Sequence, residues 1–171
     1  MKFRHEVKHI ISYSDKITIY NNLKAVASSD QHTNTDNSYI VRSLYFDNFK
    51  DKALYEKING YNEREKFRIR MYNRDTSFIR LEKKYKINGV GKKTSVCLTE
   101  EEVKKILKGD TSWMVSSGNA LLIEFYSKMK SQILRPKTIV EYHRTVFTYE
   151  PGNTRITIDD EIRTGLNSTD F

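Results

Sequence analysis

Residues 63–72 read Glu-Arg-Glu-Lys-Phe-Arg-Ile-Arg-Met-Tyr, and from Lys66 onward they alternate cationic with apolar side chains. Because successive side chains of a β-strand point to opposite faces of the sheet, this alternation predicts one strand with two different faces. The apolar face carries Phe67, Ile69 and Met71, and the other face carries Arg64, Lys66, Arg68 and Arg70. The stretch therefore predicts a strand with a hydrophobic core on one side and a row of cations on the other.

The same two-faced pattern recurs in four further predicted strands, over residues 3–11, 77–87, 90–98 and 153–162. Their charged faces contain Glu6, Lys8, Arg80, Glu82, Lys84, Lys86, Lys93, Arg155, Asp159 and Glu161. A sheet with one face on helices and the other in water is common and by itself carries no function. Cations aligned over several strands instead favour an anion-binding face, because like charges in line are unfavourable without a counter-charge.

The rest of the chain predicts helices and strands in mixed order. Thr99 and Glu102 form a capping box before a helix that ends near Gly109, and Asn88-Gly89 is typical of a hairpin turn. Further helices are expected over residues 14–27, 53–59 and 119–134, further strands over 39–46 and 137–149, and a loop over 28–37. The pattern predicts a single α+β domain over residues 1–171 in which an antiparallel sheet dominates.

Composition narrows the partners and the compartment. Thirty Lys and Arg against 22 Asp and Glu give a net charge of +8, which favours a polyanionic partner. The single cysteine, Cys97, cannot form an intramolecular disulfide, and the N-terminus lacks the apolar segment of a signal peptide. No stretch approaches the roughly 18 apolar residues of a membrane span. We therefore expect a cytoplasmic domain without membrane contact.

If the sheet closes into a barrel, its charged faces line a tunnel that concentrates the field on an anionic ligand. Arginine can bond two phosphate oxygens with one planar group, and lysine adds point charges. The carboxylates of Glu6, Glu82, Asp159 and Glu161 could hold Mg²⁺ or Mn²⁺ on the phosphates. Alternatively, these carboxylates only form ion pairs with neighbouring lysines. For Glu82 and Glu161 the sequence favours the metal role and the ion-pair role equally.

Five motifs resemble those of the triphosphate tunnel (CYTH-type) enzymes in the same order along the chain. Glu6-Val7-Lys8 resembles the Glu-x-Lys of their first strand, and the Arg-x-Arg of residues 67–72 resembles a second motif. The segments at 81–84 (Leu-Glu-Lys-Lys), 142–147 (Tyr-His-Arg-Thr-Val-Phe) and 155–159 (Arg-Ile-Thr-Ile-Asp) are similar to the polyphosphate-polymerase (VTC) branch. The resemblance extends from Arg4 to about Thr164.

The resemblance implies an antiparallel β-barrel with flanking helices, the triphosphate tunnel fold, acting on ATP, triphosphate or polyphosphate with Mg²⁺ or Mn²⁺. It implies phosphate contacts from Lys8, Arg68, Arg70, Lys84, Lys93, Tyr142, Arg144 and Arg155, with Arg42 and Lys66 as secondary candidates. The candidate metal ligands are Glu6, Glu82 and Asp159. A further strand with a metal-binding glutamate is expected in the family beyond Arg155, and the sequence ends at Phe171 before it. We therefore expect a barrel that lacks its last strand, which a partner chain or a C-terminal extension would complete.

The sequence is compatible with three functions: synthesis of polyphosphate from ATP, hydrolysis of triphosphate, and polyanion binding without catalysis. Nucleic-acid binding is disfavoured, because the aromatic side chains of the strands fall mostly on the apolar faces or at strand ends. The four histidines lack metal-ligand spacing and are not assigned to the site.

Overall fold

The structure is a computed structural model that describes residues 6–29, 38–166 and 171. Its centre is an antiparallel sheet. The strands are β1 (Ser28–Ser29), β2 (Ser38–Asp47), β3 (Glu63–Tyr72), β4 (Ile79–Ile87), β5 (Val90–Leu98), β6 (Arg135–Tyr149) and β7 (Thr154–Leu166). Across the sheet the order is β7, β6, β2, β3, β4, β5, and the two-residue β1 pairs with β6 beyond the end of β2.

Four α-helices accompany the sheet: α1 (Tyr13–Val26), α2 (Lys52–Ile58), α3 (Glu100–Leu107) and α4 (Ala120–Ser131). The predicted capping box of α3 is present, since Thr99 Oγ1 accepts a hydrogen bond from the Glu102 amide and the Glu102 carboxylate accepts one from the Thr99 amide. Gly109 follows that helix with a φ of 82°, a left-handed conformation that suits glycine. A 3₁₀ helix over Ser112–Ser117 was not predicted.

The hydrophobic core lies between the sheet and helices α3 and α4. The fully buried ring of Phe125 on α4 packs edge-on against Phe46, with ring centroids 5.0 Å apart. It also packs, at a tilt, against Phe67, with ring centroids 5.1 Å apart. Ile69 and Leu81 lie on the same sheet face and are also fully buried. The apolar sides of β3 and β4 thus form part of the core, which leaves their charged sides on the opposite face of the sheet.

Tight turns fix the register of the central strands. Asn88 and Gly89 join β4 to β5 with positive φ angles of 47° and 81°, as a two-residue hairpin turn of type I′ requires.

The α+β class and the antiparallel sheet with flanking helices are confirmed. The helices expected over residues 14–27, 53–59 and 119–134 are present with small shifts of their ends.

The sheet is not closed into a barrel in the described part of the chain. Strands β5 and β7 are its two edges and do not pair with each other. Closure of a barrel requires that the edge strands pair with each other. Completion of the barrel by a further segment or a partner chain stays a prediction.

The strand predicted over residues 3–11 is wrong where the structure describes it, since residues 6–11 form no regular element. Val7 and Ile10 are strongly exposed, because no sheet edge pairs with this segment and no core covers it. Residues 3–5 lie outside the described residues, as do residues 30–37 of the predicted loop, whose first two residues form β1. Among the described helices, none has the length and apolar character needed to cross a membrane.

Candidate anion-binding site

The face of the sheet opposite α3 and α4 carries the predicted cations, and we call it the basic face. Strand register places Lys66, Lys84 and Lys93 side by side on β3, β4 and β5. Arg68 and Arg70 follow along β3 on the same face. The other polar and aromatic members are Tyr39, Ser43, Tyr45, Arg80, Glu82, Ser95, Tyr142, Arg144, Arg155 and Asp159.

Glu82 lies at the centre of the basic face and is 1% exposed. Arg68 donates to its Oε2 through Nε at 2.8 Å and Nη2 at 2.6 Å, and Lys93 donates to Oε1 at 2.9 Å. Burial alone would raise the pKa of Glu82, but the charges of Arg68, Lys93 and Arg70 outweigh it and lower the pKa to about 2. Glu82 is therefore a buried counter-ion that holds two of the predicted phosphate-binding residues.

Arg70 is almost fully buried, and among the described residues its hydrogen-bond acceptors are neutral. Its Nε donates to Ser43 Oγ at 2.8 Å, and its Nη2 donates to Tyr142 Oη at 3.1 Å. These bonds orient the guanidinium without neutralising it. Burial also raises the pKa of Tyr142, so that this phenol stays protonated and able to donate to an anion.

Tyr45 places a phenol among cations. Arg68 Nη1 donates to Tyr45 Oη at 3.1 Å, and Lys66 Nζ lies 5.2 Å from the ring centroid. Burial would raise the pKa of Tyr45, but Arg68, Lys66 and Arg70 together lower it to about 8. Burial lowers the pKa of Lys66, and the like charges of Arg68 and Lys84 lower it further. The site is therefore so cationic that it alters the acidity of its own members.

Arg144 and Asp159 form a bidentate ion pair between β6 and β7, with N–O distances of 2.6 and 2.7 Å. Burial would lower the pKa of Arg144, but the hydrogen bonds and charge of Asp159 raise it. Arg155 on β7 donates to Tyr39 Oη at 3.2 Å. These residues lie at the β6–β7 side of the basic face, two and three strands from Arg70.

Glu6 and Lys8 approach the basic face from the irregular segment before α1. Glu6 is ion-paired with Lys84, and Lys8 lies 3.7 Å from Glu6 with its side chain 78% exposed. Lys8 is therefore linked to the lysine row through Glu6, and its charge contributes to the lowered pKa of Lys66. The structure thus brings both residues to the site without a strand.

The three predicted metal ligands do not form a ligand set in the structure. Each is paired with cations: Glu6 with Lys84, Glu82 with Arg68 and Lys93, and Asp159 with Arg144. Across the described ranges, no three acidic, histidine or cysteine side chains gather at one point. These carboxylates do not fit a preformed Mg²⁺ or Mn²⁺ site, and the role of a divalent metal stays a prediction.

Arg42 is the predicted phosphate contact that the structure places elsewhere. It lies on the helix-facing side of β2, in phase with Leu44 and Phe46, and donates to Glu141 Oε2 at 3.1 Å. Alternation within the strand explains the error, because a residue two before a core leucine shares its face. Arg42 is therefore not a member of the basic face.

Ser43, Tyr45 and Tyr39 on β2 were not predicted as members of the site, because the facing of this strand was ambiguous from the sequence. The apolar residues Leu44 and Phe46 share one face, so Ser43 and Tyr45 must point to the other. Glu161, predicted on the charged face, has a φ of 48° where the pairing of β6 and β7 shifts register, which interrupts the alternation there.

Comparison with known proteins places this fold in a family. A crystal structure of a Bacillus halodurans protein, described as a candidate adenylate cyclase, is similar with a TM-score of 0.56 and 17% identity. The similarity covers 87% of this chain and 67% of the other and shows a shared fold. A search of the curated proteins found no match. The sequence model of the VTC domain matches residues 3–169, so the chain belongs to the VTC domain family.

Proposed function

We propose that the basic face binds a triphosphate or a polyphosphate chain, with ATP as a further ligand of the same chemistry. The observation that carries this proposal is the row of Lys66, Lys84 and Lys93, directly opposite one another across three strands. Like charges in these positions are unfavourable. Glu6 and Glu82 neutralise Lys84 and Lys93, and the charge of Lys66 remains for a bound polyanion. Membership of the VTC domain family supports phosphate as the anion.

The ligand would lie along the strands, from the lysine row towards Arg70. Arg68 and Lys93 already have a counter-ion in Glu82, whereas Lys66 and Arg70 have no carboxylate within 4.0 Å in the described ranges. Because a phosphate oxygen gains most from a cation that is not already neutralised, Lys66 and Arg70 are the strongest anchors. Tyr142 can add a hydrogen bond from its protonated phenol.

The experiment is a calorimetric titration of tripolyphosphate into the parent chain and into the Lys66→Gln/Lys84→Gln double variant. We expect the double variant to bind at least tenfold more weakly, since it loses two charge-assisted contacts of about 1.5–3 kcal/mol each. The matched control is Lys105→Gln/Lys108→Gln, which removes the same charge from exposed positions at α3 on the opposite side of the sheet. Equal weakening by both double variants would show a nonspecific charge effect and reject the site.

A protein that binds phosphate chains in this way could also catalyse phosphoryl transfer. Cations that neutralise charge on a transferring phosphoryl group would serve polyphosphate synthesis from ATP and triphosphate hydrolysis alike. The pairing of all three candidate metal ligands with cations favours binding without turnover by the described residues. Incubation with ATP and Mn²⁺ separates the outcomes: polymer and ADP indicate synthesis, free phosphate indicates hydrolysis, and neither supports a binding module.

A further inference from the structure

Arg80 on β4 lies directly opposite Arg70 on β3, at the end of the basic face nearest the β3–β4 turn. Its guanidinium carbon lies 4.3 Å from the ring centroid of Phe78. Its Nε is buried and has no hydrogen-bond partner. A buried donor without an acceptor is rare in folded proteins and requires an explanation.

Within the described ranges, the positive charge of Arg80 also lacks a nearby counter-charge. Among the described residues, neither Arg70 nor Arg80 has a carboxylate within 4.0 Å. The neighbouring pair of β3 and β4 shows the contrast, because there Arg68 faces Glu82 and is neutralised by it. Strand register places these two cations directly opposite each other on one face of the sheet, which is unfavourable unless an anion lies between them.

We propose that Arg80 is a phosphate-binding residue and that it forms, with Arg70, a two-guanidinium subsite for one phosphoryl group. This inference rests on the proposed binding of phosphate chains to the basic face. Each planar guanidinium can donate two hydrogen bonds to phosphate oxygens, so the pair can hold a phosphoryl group from two sides. The stacking of Arg80 on Phe78 then serves to hold the guanidinium in place.

The alternative is that Arg80 only packs against Phe78 and contributes no ligand contact. The packing role and the phosphate-binding role predict different effects on stability and affinity when the charge of Arg80 is removed. A packing role predicts lower stability and unchanged affinity. A phosphate-binding role predicts lower affinity without loss of stability in the free protein, since removal of one charge relieves the repulsion from Arg70.

The test measures tripolyphosphate affinity and unfolding free energy for the parent, Arg80→Gln and Arg74→Gln. Arg74 is the matched control, because it lies in the turn between β3 and β4. Its substitution removes the same charge, and its side chain is 60% exposed and pairs with Glu141 on the other face of the sheet. We expect Arg80→Gln to bind about tenfold more weakly or worse without loss of stability, and Arg74→Gln to bind as the parent does. An Arg80→Gln variant with parental affinity would overturn the inference while leaving the proposed function intact.

Two further results complete the test. If the parent does not bind tripolyphosphate, the proposed function and this inference fail together. If Arg80→Gln does not fold, Arg80→Lys takes its place, since it keeps the charge and the aliphatic stem but loses the planar fork. We then expect a loss of affinity of roughly threefold or more, and parental affinity for Arg80→Lys would overturn the inference.

Discussion

Arg68 and Glu82 face each other across β3 and β4, and two guanidinium nitrogens of Arg68 bond the same carboxylate oxygen at 2.6 and 2.8 Å. The cations at the centre of the basic face therefore surround the buried negative charge of Glu82. This arrangement keeps several cations close together in the absence of a ligand, and it makes Glu82 the residue on which both stability and affinity depend.

Neutralising Glu82 should separate these two properties. Glu82→Gln removes the counter-charge of Arg68 and Lys93, and we expect the free energy of unfolding to fall by about 3 kcal/mol, as for a broken buried ion pair. Tripolyphosphate affinity of the folded variant should rise, because an anionic ligand then replaces the missing charge. Urea unfolding and calorimetry measure the two effects, and unchanged stability would contradict the counter-ion role.

Acid should destabilise the parent through the same residue. The pKa of Glu82 is about 2 in the folded chain against an ordinary value of 4.5, so its contribution is complete above pH 4.5 and is lost as the pH falls towards 2. A shift of this size corresponds to about 3 kcal/mol. Stability measured between these pH values should fall less steeply for Glu82→Gln than for the parent, and parallel curves would refute the assignment.

Tyr45 should titrate near pH 8 rather than near pH 10. Because its pKa is lower in the folded state, folding gains stability as the pH rises from about 8 towards 10 and loses that gain as the pH falls through 8. The phenolate also places a negative charge beside Lys66 and Arg68, so tripolyphosphate affinity should decline over the same range.

The titration of Tyr45 is measured by tyrosinate absorbance in the parent and in Tyr45→Phe. We expect the variant to lack the component near pH 8 and to keep its affinity for tripolyphosphate over that range. An identical absorbance titration in both proteins would show that the cations do not act on Tyr45.

The hydrophobic core can be weakened without direct change to the basic face. Phe125 is fully buried on α4 and contacts Phe46 and Phe67 from the helix side of the sheet. Phe125→Ala should therefore lower the unfolding free energy by about 3–5 kcal/mol. In the fraction that remains folded, tripolyphosphate affinity should be unchanged, and a specific loss of affinity would mean that the two faces are coupled.

The central strands were predictable because alternation and turn chemistry agree there. The apolar phase of Phe67, Ile69 and Leu81 assigns every residue of β3 and β4 to a face, and Asn88-Gly89 fixes the next register. The pairing of Arg68 with Glu82 was not predictable in the same way. It depends on which residues of two strands lie opposite each other, and a shift of pairing would give Arg68 a different neighbour.

Two errors have distinct physical causes. The strand expected over residues 3–11 needs a sheet edge to pair with, and its own alternation cannot supply one. Arg42 was a less certain candidate taken from the family resemblance, because the facing of its strand was ambiguous; Leu44 and Phe46 share its face and place it on the helix side. Strand alternation placed Arg68, Arg70 and Arg80 on the charged face, as the structure has them, whereas the family resemblance indicated neither Tyr45 nor Arg80.

The most direct test of the central claim is a crystal structure of the chain with bound tripolyphosphate. We predict phosphate oxygens within hydrogen-bonding distance of Lys66, Arg70 and Arg80 on the basic face, with the Arg68–Glu82 ion pair retained. Tripolyphosphate bound on the opposite side, against the exposed lysines of α3 and α4, would contradict the account.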